Sequence, residues 1–501
     1  MVASESATAL YASIYNPARM IHPTSIARSI GLVSIMWLQG CGGTPAAQTP
    51  ADPLADSAQN IRLVGHNDLQ GRESLMVVAR SDQANGDWAY VGHHENFWDE
   101  TQKLNPITGQ MEWNGTSILD VADPANPKLV WHIPNENNAS SRSVSVVYDY
   151  GFDGSGRDYL IRNSEFGDVF TFQIFDITAR GTDPKQIALV SEITATPEHS
   201  CGRGCGGRLI GRAHKGWWSQ ETGYFYSAAG EPGFRSTIAQ IWDLKDPKQP
   251  KFVGRMWIPG QKDGEPGDEG QYAHHPNVDE ANKRVYIGYR ESGWTAAFDI
   301  ADPAKPRVLW SLDLNPPHRG PHTVSPIVYD KVPNFGADAL PRTYAFVVDE
   351  AGAAEDLAPC RGTRSKSYMF DITNETRPMP VSTWQVPADA YCSKGGRFGP
   401  HQQADTINGR FNRFEDKLAW VAYFNAGVRL VDLADPYNPR EVGYYVPKPN
   451  ERSHPIEQGQ ATAIQINDID LDDRGLAYAT DRTGAGLFIL QRTDTAGRSG
   501  T

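Results

Sequence analysis

The sequence predicts an all-β fold: a seven-bladed β-propeller of four-stranded antiparallel blades, with the ring closed by an N-terminal outer strand. Three observations predict it. One short pattern recurs seven times, short alternating strands surround each copy, and 47 Gly and 35 Pro are spread over 501 residues. This much Gly and Pro favours many short elements joined by turns, and it excludes a coiled coil.

Each repeat contains an apolar strand that ends in Asp and, in its clean form, runs into Asp-Pro-x-x-Pro. The anchoring positions lie 56 to 72 residues apart and are Asp120, Asp176, Asp243, Asp299, Asp371, Asp432 and a degenerate Gln491. Proline fixes φ and Asp accepts hydrogen bonds from nearby N–H groups, so the segment forms a rigid turn between two strands. Four strands per unit and seven units describe a propeller.

The two ends of the repeat region predict how the ring closes. The segment 60–66 resembles the fourth strand of the other units, whereas the last unit lacks that strand after Leu490. We therefore expect the N-terminal segment to supply the outer strand of blade seven, which removes an exposed sheet edge. The predicted organisation is a signal peptide over 1–41, a flexible tether over 42–59, one propeller over 60–493 and a disordered tail over 494–501.

The N-terminal region predicts export. Residues 30–38 form an apolar stretch that is too short to span a bilayer and fits the core of a secretory signal. Leu38-Gln39-Gly40-Cys41 follows and resembles a bacterial lipoprotein signal, although Gln39 is unusual at its place. The resemblance implies a lipid on Cys41 and a location in the cell envelope, as an outer-membrane or surface lipoprotein. The alternative is ordinary cleavage, which gives a periplasmic or secreted soluble protein.

The remaining cysteines predict disulfides. They are Cys201, Cys205, Cys360 and Cys392. An even number in an oxidising compartment favours pairing, so we expect Cys201 to pair with Cys205 and the other two to pair by elimination. A zinc site of four cysteines is the lesser alternative, because only one closely spaced pair is present.

The repeated hydrophobic-Asp-(Ile/Leu/Val)-x-Asp-Pro-x-x-Pro motif resembles the LVIVD repeat of bacterial, mostly exported propeller proteins. The resemblance runs from about Asn60 to Thr493 and implies the propeller fold. It implies no activity, because that family is defined by its repeat.

A histidine occupies the same place at the start of the inner strand in four consecutive units: His214, His275, His322 and His401. Inner strands line the central channel, so we expect these side chains to point at one another. Converging neutral imidazoles suit Fe, Cu, Mn or Zn. The architecture is similar to the four-histidine iron site of carotenoid-cleaving oxygenases and to the selenium-binding protein and methanethiol oxidase family. In the alternative, the histidines only support the strands and the protein has no cofactor.

Carboxylates are predicted near the same face of the ring. Four of them follow second strands and one lies in the inner strand of unit seven: Glu231, Glu291, Glu350, Asp481 and Asp468. They are candidates for orienting the histidines or acting as a general base. The alternative for each is a solvated acidic rim.

Two functions remain open from the sequence, and whether the chain is an enzyme is undecided. The first is an exported, lipid-anchored propeller that binds a ligand or partner at its central top face. The second is a metal-dependent enzyme, an oxidoreductase rather than a hydrolase. The expected partner is a small molecule or an envelope component, with membrane contact through the lipid alone and a monomeric state. A net charge of −13 argues against nucleic acid.

Overall fold

The computed structural model describes residues 52, 54–96, 98–164, 171–193, 213–267, 272–315, 320–350, 365–391, 393–405, 415 and 417–494. The predicted signal peptide, the lipidation site Cys41, most of the tether and the tail from 495 onwards lie outside the described residues. So do Cys201, Cys205, Cys360 and Cys392, which leaves their pairing a prediction.

Seven antiparallel sheets form the blades, and a separate two-stranded sheet is inserted in blade 1. Two strands precede the first blade, β1 (Ala55–Gln59) and β2 (Ile61–Asn67). Blade 1 comprises β3 (Ser74–Asp82), β4 (Gly86–His93), β7 (Gly115–Asp120) and β8 (Lys128–Pro134), with the hairpin β5 (Lys103–Leu104) and β6 (Met111–Glu112) inserted. Blade 2 comprises β9 (Ser143–Tyr150), β10 (Arg157–Asn163), β11 (Phe172–Asp176) and β12 (Ala188–Ile193). Blade 3 comprises β13 (Ala213–Trp218), β14 (Tyr224–Gly230), β15 (Thr237–Asp243) and β16 (Lys251–Met256).

Blades 4 to 7 repeat the arrangement. Blade 4 comprises β17 (Ala273–Asp279), β18 (Arg284–Tyr289), β19 (Trp294–Asp299) and β20 (Arg307–Asp313), and blade 5 comprises β21 (Pro321–Tyr329), β22 (Arg342–Asp349), β23 (Ser367–Asp371) and β24 (Met379–Trp384). Blade 6 comprises β25 (Gln402–Gln403), β26 (Leu418–Ala422), β27 (Val428–Asp432) and β28 (Arg440–Pro447). Blade 7 contains β29 (Ile466–Leu471), β30 (Leu476–Asp481) and β31 (Leu487–Arg492). The inner strands contact one another in a complete circle, from β3 through β29 and back to β3. The predicted seven-bladed propeller is confirmed.

Helices are few and short. Those among the described residues are 3₁₀ turns, Leu69–Gly71, Thr178–Gly181, Pro184–Gln186, Ala337–Ala339 and Ala388–Ala390. Within the part of the chain that is described, no helix has the length and apolar character needed to cross a membrane.

Strand β2 closes the ring as predicted, because it pairs with β31 as the outer strand of blade 7. The pairing shifts by one residue at Val64, between Leu63 and Gly65. The same one-residue bulge occurs in the fourth strand of the other six blades, at Val130, Val190, Val253, Leu309, Val381 and Val442. Each bulged side chain packs against one of the seven apolar clusters between blades. By this criterion β2 is a fourth strand like the others.

The repeated Asp has a local structural role. Each one ends a third strand and accepts a hydrogen bond of 2.8 to 3.0 Å from the N–H two residues later, at Asp120, Asp176, Asp243, Asp299, Asp371 and Asp432. This interaction fixes the turn into the fourth strand. Gln491 needs no such turn, because the fourth strand of blade 7 comes from the other end of the chain.

The predicted tether boundary at residue 59 is wrong, because residues 55–59 form β1. This strand pairs with β28 and adds a fifth strand to blade 6. Its sequence, Ala-Asp-Ser-Ala-Gln, lacks the β-branched and aromatic residues that indicate a strand. Backbone pairing with an open sheet edge therefore decides its conformation.

Gly65 provides a test of the closure. A Cβ atom built on Gly65 would lie 2.0 Å from the carbonyl oxygen of Pro124 in the Asp-Pro turn of blade 1. We expect Gly65→Ala to lower the free energy of unfolding by about 1–3 kcal/mol through overpacking, as measured by urea denaturation. Gly151→Ala is the control, because nothing lies within 4 Å of a Cβ there. Equal stability of the two variants would contradict this account of closure.

Candidate functional site

The inner strands begin at one end of the central channel, which we call the mouth. In five blades the first strand carries a one-residue bulge at its start, after Ser74, Ala213, Ala273, Pro321 and Ile466. A bulge redirects the side chain of the extra residue. In blades 4 and 5 that extra residue is a histidine, His274 and His322.

Four histidines from blades 3 to 6 form a continuous cluster. The ring centroids of His214 and His274 lie 4.0 Å apart, those of His274 and His322 also 4.0 Å, and those of His322 and His401 4.5 Å. All four residues are at most 5% exposed. We call His214, His274, His322 and His401 the histidine cluster. The structure thus brings together three of the predicted histidines and places His274 in the position that sequence alignment assigned to His275.

His275 belongs to a second, separate group of side chains. Its Nε2 atom lies 2.6 Å from Oδ2 of Asp405, and its ring centroid lies 6.0 Å from that of His322. Burial acts to raise the pKa of Asp405, but the charge of His275 and Lys215 outweighs burial and lowers it. A cavity of about 10 Å³, the size of one water molecule, adjoins His275 and Asp405.

The same group contains a buried lysine. Lys215 follows His214 directly and donates a hydrogen bond of 2.9 Å to Oε1 of Gln402 on blade 6. The Gln402 amide in turn donates to the carboxyl group of Asp468 on blade 7. Burial raises the pKa of Asp468 to about 8, against the lowering effect of Lys215. Three blades are therefore linked across the channel by polar side chains.

Glu350 is the predicted carboxylate that contacts the histidine cluster. It follows β22, and its carboxyl oxygens lie 3.5 Å from Nε2 of His274 and 3.9 Å from Nε2 of His401. Arg290 and Arg397 also form ion pairs with it. Burial acts to raise the pKa of Glu350, but Arg290, His401 and Arg397 outweigh it and lower the pKa to about 2.

The other predicted carboxylates lie elsewhere. Glu231 pairs with Arg255, and the exposed Glu291 pairs with Arg290. Asp481 accepts backbone hydrogen bonds of 2.7 to 2.9 Å from Gln465, Thr483 and Ala485, so its contacts fix a turn. Asp468 lies in the second group with Lys215 and Gln402.

Three members of the histidine cluster, His274, His322 and His401, are held neutral. Burial, assisted by neighbouring positive charge, lowers the pKa of His274 and His322 well below 6.5. Burial likewise lowers the pKa of His401 to about 3, despite the opposing effect of Glu350. Neutral imidazole is the form that ligates metals.

Hydrogen bonds leave nitrogen lone pairs at the cluster. The His401 Nδ1–H donates to the carbonyl oxygen of Asn467, so its Nε2 carries the lone pair. Nδ1 of His322 lies 2.7 Å from Oγ1 of Thr323. Among the described residues, Nε2 of His322 and Nδ1 of His274 are buried without a hydrogen-bond partner. Buried nitrogens of this kind are unusual unless a ligand or ion satisfies them.

The donor set fits a transition metal ion. One ligand atom each from His274, His322 and Glu350 lies within 4.8 Å of the others. Donors at ~2.1 Å from one tetrahedral ion lie ~3.4 Å apart, so these side chains would move closer together on binding a metal. Because Glu350 already pairs with two arginines, it fits best as a partner that orients His274 and His401.

Several residues around the histidines could not be predicted from the sequence. His274 was missed because the dipeptide His274-His275 offers two candidates and the bulge decides between them. Arg397 lies in a loop before His401 with no recurring pattern, and Asp405 follows the short strand β25. For Lys215, the one indication in the sequence that it lies near the site is its position next to the predicted His214.

No protein-family model matches the chain, and no curated protein matches its sequence. Among solved structures it is similar to the periplasmic gluconolactonase of Pseudomonas aeruginosa, at 14% identity over 78% of this chain and 98% of that chain, with a TM-score of 0.43. It is also similar to the hydrazine synthase of Kuenenia stuttgartiensis, at 10% identity, 86% and 97% coverage and a TM-score of 0.46. It is similar, too, to a hypothetical selenium-binding protein of Sulfolobus tokodaii, at 13% identity over 85% of this chain and 83% of that chain, with a TM-score of 0.44. Similarities this distant carry no argument about function, and the LVIVD resemblance stays a prediction.

The lowered histidine pKa values predict a strong pH dependence of stability. Burial lowers the pKa of seven described histidines: His93, His94, His132, His274, His322, His401 and His454. Below pH ~6.5 the unfolded chain binds more protons than the folded chain, so stability falls as pH falls, by up to ~1.4 kcal/mol per pH unit for each histidine.

His322→Gln should therefore make the dependence of unfolding free energy on pH shallower by about one proton between pH ~6 and ~4. Urea denaturation at several pH values measures this slope. An unchanged slope would contradict a neutral, buried His322.

Proposed function

We propose that the protein binds one divalent transition metal ion at the histidine cluster and uses it in chemistry on a ligand that enters through the mouth. One observation carries this proposal: four buried imidazoles, supplied by four consecutive blades, converge with unpartnered nitrogens at His274 and His322. Imidazole nitrogen suits Fe, Cu, Mn and Zn, and these remain the candidates.

Redox chemistry is favoured over hydrolysis. A hydrolase that relies on a carboxylate as its general base needs one whose pKa lies near the working pH. The carboxylate at the cluster, Glu350, has its pKa lowered to about 2, with Arg290 the largest of the lowering charges, and is a weak base. Asp468 has a pKa of about 8 but belongs to the group around Lys215. A bound Fe, Cu or Mn ion would supply one-electron chemistry, whereas Zn has no redox chemistry and would fit the hydrolytic alternative.

The residues of the chain have separate roles in this proposal. His214, His274, His322 and His401 would hold the ion. Asn467 fixes the tautomer of His401 through its carbonyl oxygen. Glu350 orients His274 and His401, and Arg290 and Arg397 keep Glu350 ionised.

A second candidate is a propeller that binds a ligand or partner without chemistry. The ion pairs of Glu350 favour it, because a carboxylate held by two arginines is satisfied without a metal. In that case the histidines support the inner strands. Under either candidate function, we propose that the chain is an exported propeller of the LVIVD type, that Cys41 carries a lipid anchor and that the protein is a monomer.

Metal analysis of the purified, untagged chain tests the first candidate. We expect about one Fe, Cu, Mn or Zn per chain, lost in His274→Ala and His322→Ala because each removes a donor. Glu350→Gln should weaken binding about 10-fold, because it removes the partner that orients two ligands. His275→Gln is the matched control and should retain the metal. Loss of metal in His275→Gln alone, or no metal after reconstitution, would overturn the site.

Radioactive fatty acid labelling in a bacterial host tests the proposed anchor. The chain should incorporate palmitate, and Cys41→Ser should abolish the label because the thiol is the acceptor. Cys201→Ser is the control and should remain labelled. Export of an unlabelled native chain would replace the lipoprotein proposal with a soluble exported protein.

A further inference from the structure

Four arginines lie at the mouth of the channel. Arg142 and Arg397 precede the inner strands β9 and β25, whereas Arg290 and Arg482 directly follow the second strands β18 and β30. Inner strands begin, and second strands end, at the same face of a propeller blade. The topology therefore brings the four guanidinium groups to the same end of the channel.

Three of these arginines have carboxylate partners. Arg142 donates to both oxygens of Glu95, at 3.0 and 3.2 Å. Arg290 and Arg397 share Glu350. Each of these charges is thereby compensated within the protein.

Arg482 differs from the other three because it forms no ion pair within the described part of the chain. Its side-chain contact is Nη1 to Oδ1 of Asn467 at 3.5 Å, the long limit of a hydrogen bond. The neighbouring Asp481 does not compensate it, since its carboxylate accepts hydrogen bonds from backbone N–H groups. Burial, together with Arg397 and Arg142, lowers the pKa of Arg482 to about 9.

Hydrogen bonds place Arg482 next to the histidine cluster. Asn467 contacts Arg482 through its side chain and His401 through its backbone carbonyl. The carbonyl oxygen of Gln465 accepts a bond from the Arg482 N–H at 2.9 Å, and its side chain accepts one from the Arg397 N–H at 2.9 Å. One hydrogen-bonded residue therefore bridges Arg482 to His401, namely Asn467, and one bridges Arg482 to Arg397, namely Gln465.

We propose that the mouth binds an anion carrying carboxylate or phosphate oxygens, with Arg482 as its principal partner. Among the described residues the half-buried guanidinium of Arg482 forms no ion pair, and the more distant charges of Glu350 and Glu73 only partly offset burial and the repulsion from Arg397 and Arg142. A counter-ion bound here would therefore be stabilised. Its planar pair of N–H donors fits two oxygens of one anion. The site lies beside the proposed metal position but does not require the ion.

The test uses calorimetric titration of the full chain after chelator treatment, at low ionic strength and pH 7.5. The probes are inorganic phosphate and oxalate, and the tighter of the two identifies the class of anion. Arg482→Gln should weaken binding ~10-fold or more, because a charge-assisted pair is lost. Arg377→Gln, at an exposed position, makes the same charge change and should leave binding unchanged. Affinity should fall as salt is added.

Thermal denaturation without anion separates binding from a structural role. Arg482→Gln removes a charge repelled by Arg397 and Arg142, so its Tm should equal or exceed that of the native chain. A lowered Tm, equal anion affinity in Arg482→Gln, or no binding of either probe would overturn the proposal. The protein is metal-free in this assay, so the two proposals can fail separately. Anion binding by a chain that takes up no metal in the metal analysis would refute the metal site alone. Metal uptake by a chain that binds neither anion would refute the anion site alone.

Discussion

The pairing of β2 with β31 is the interaction on which the rest of the structure depends. It completes blade 7 with a strand from the other end of the repeat region, so the first and last parts of the propeller are joined in one sheet. Within this ring Lys215 on blade 3 reaches Gln402 on blade 6 with a hydrogen bond of 2.9 Å. Imidazoles from four adjacent blades likewise come within ring contact. Without this pairing β31 would be a free sheet edge.

Most of the fold is predictable from sequence because its signals are local. The recurring Asp ends each third strand through a hydrogen bond to the backbone two residues later, so a short motif specifies a turn wherever it occurs. Strand β1 is not predictable, because its Ala- and Ser-rich sequence gains strand structure from the edge of β28. Local patterns therefore specify the blades, whereas an unpatterned segment takes its structure from what it pairs with.

The site is less predictable, since it depends on contacts between distant residues. Repeat alignment locates the inner-strand histidines to within one position, but the bulge in β17 selects His274 over His275. Glu350 acquires its role from Arg290 and Arg397, which come from two other blades. The two layers that result are chemically different. Neutral imidazoles lie beside an ionised glutamate at the mouth, and the His275–Asp405 pair and the buried Lys215 lie beyond it.

The central claim is that the histidine cluster is built to hold an ion. Anomalous diffraction from crystals of the metal-loaded chain tests it most directly. We predict one strong anomalous peak ~2.0–2.2 Å from Nε2 of His322 and Nε2 of His401, the bonding distance for imidazole nitrogen. A peak at the His275–Asp405 pair instead, or metal-loaded crystals without a peak at the cluster, would contradict the account.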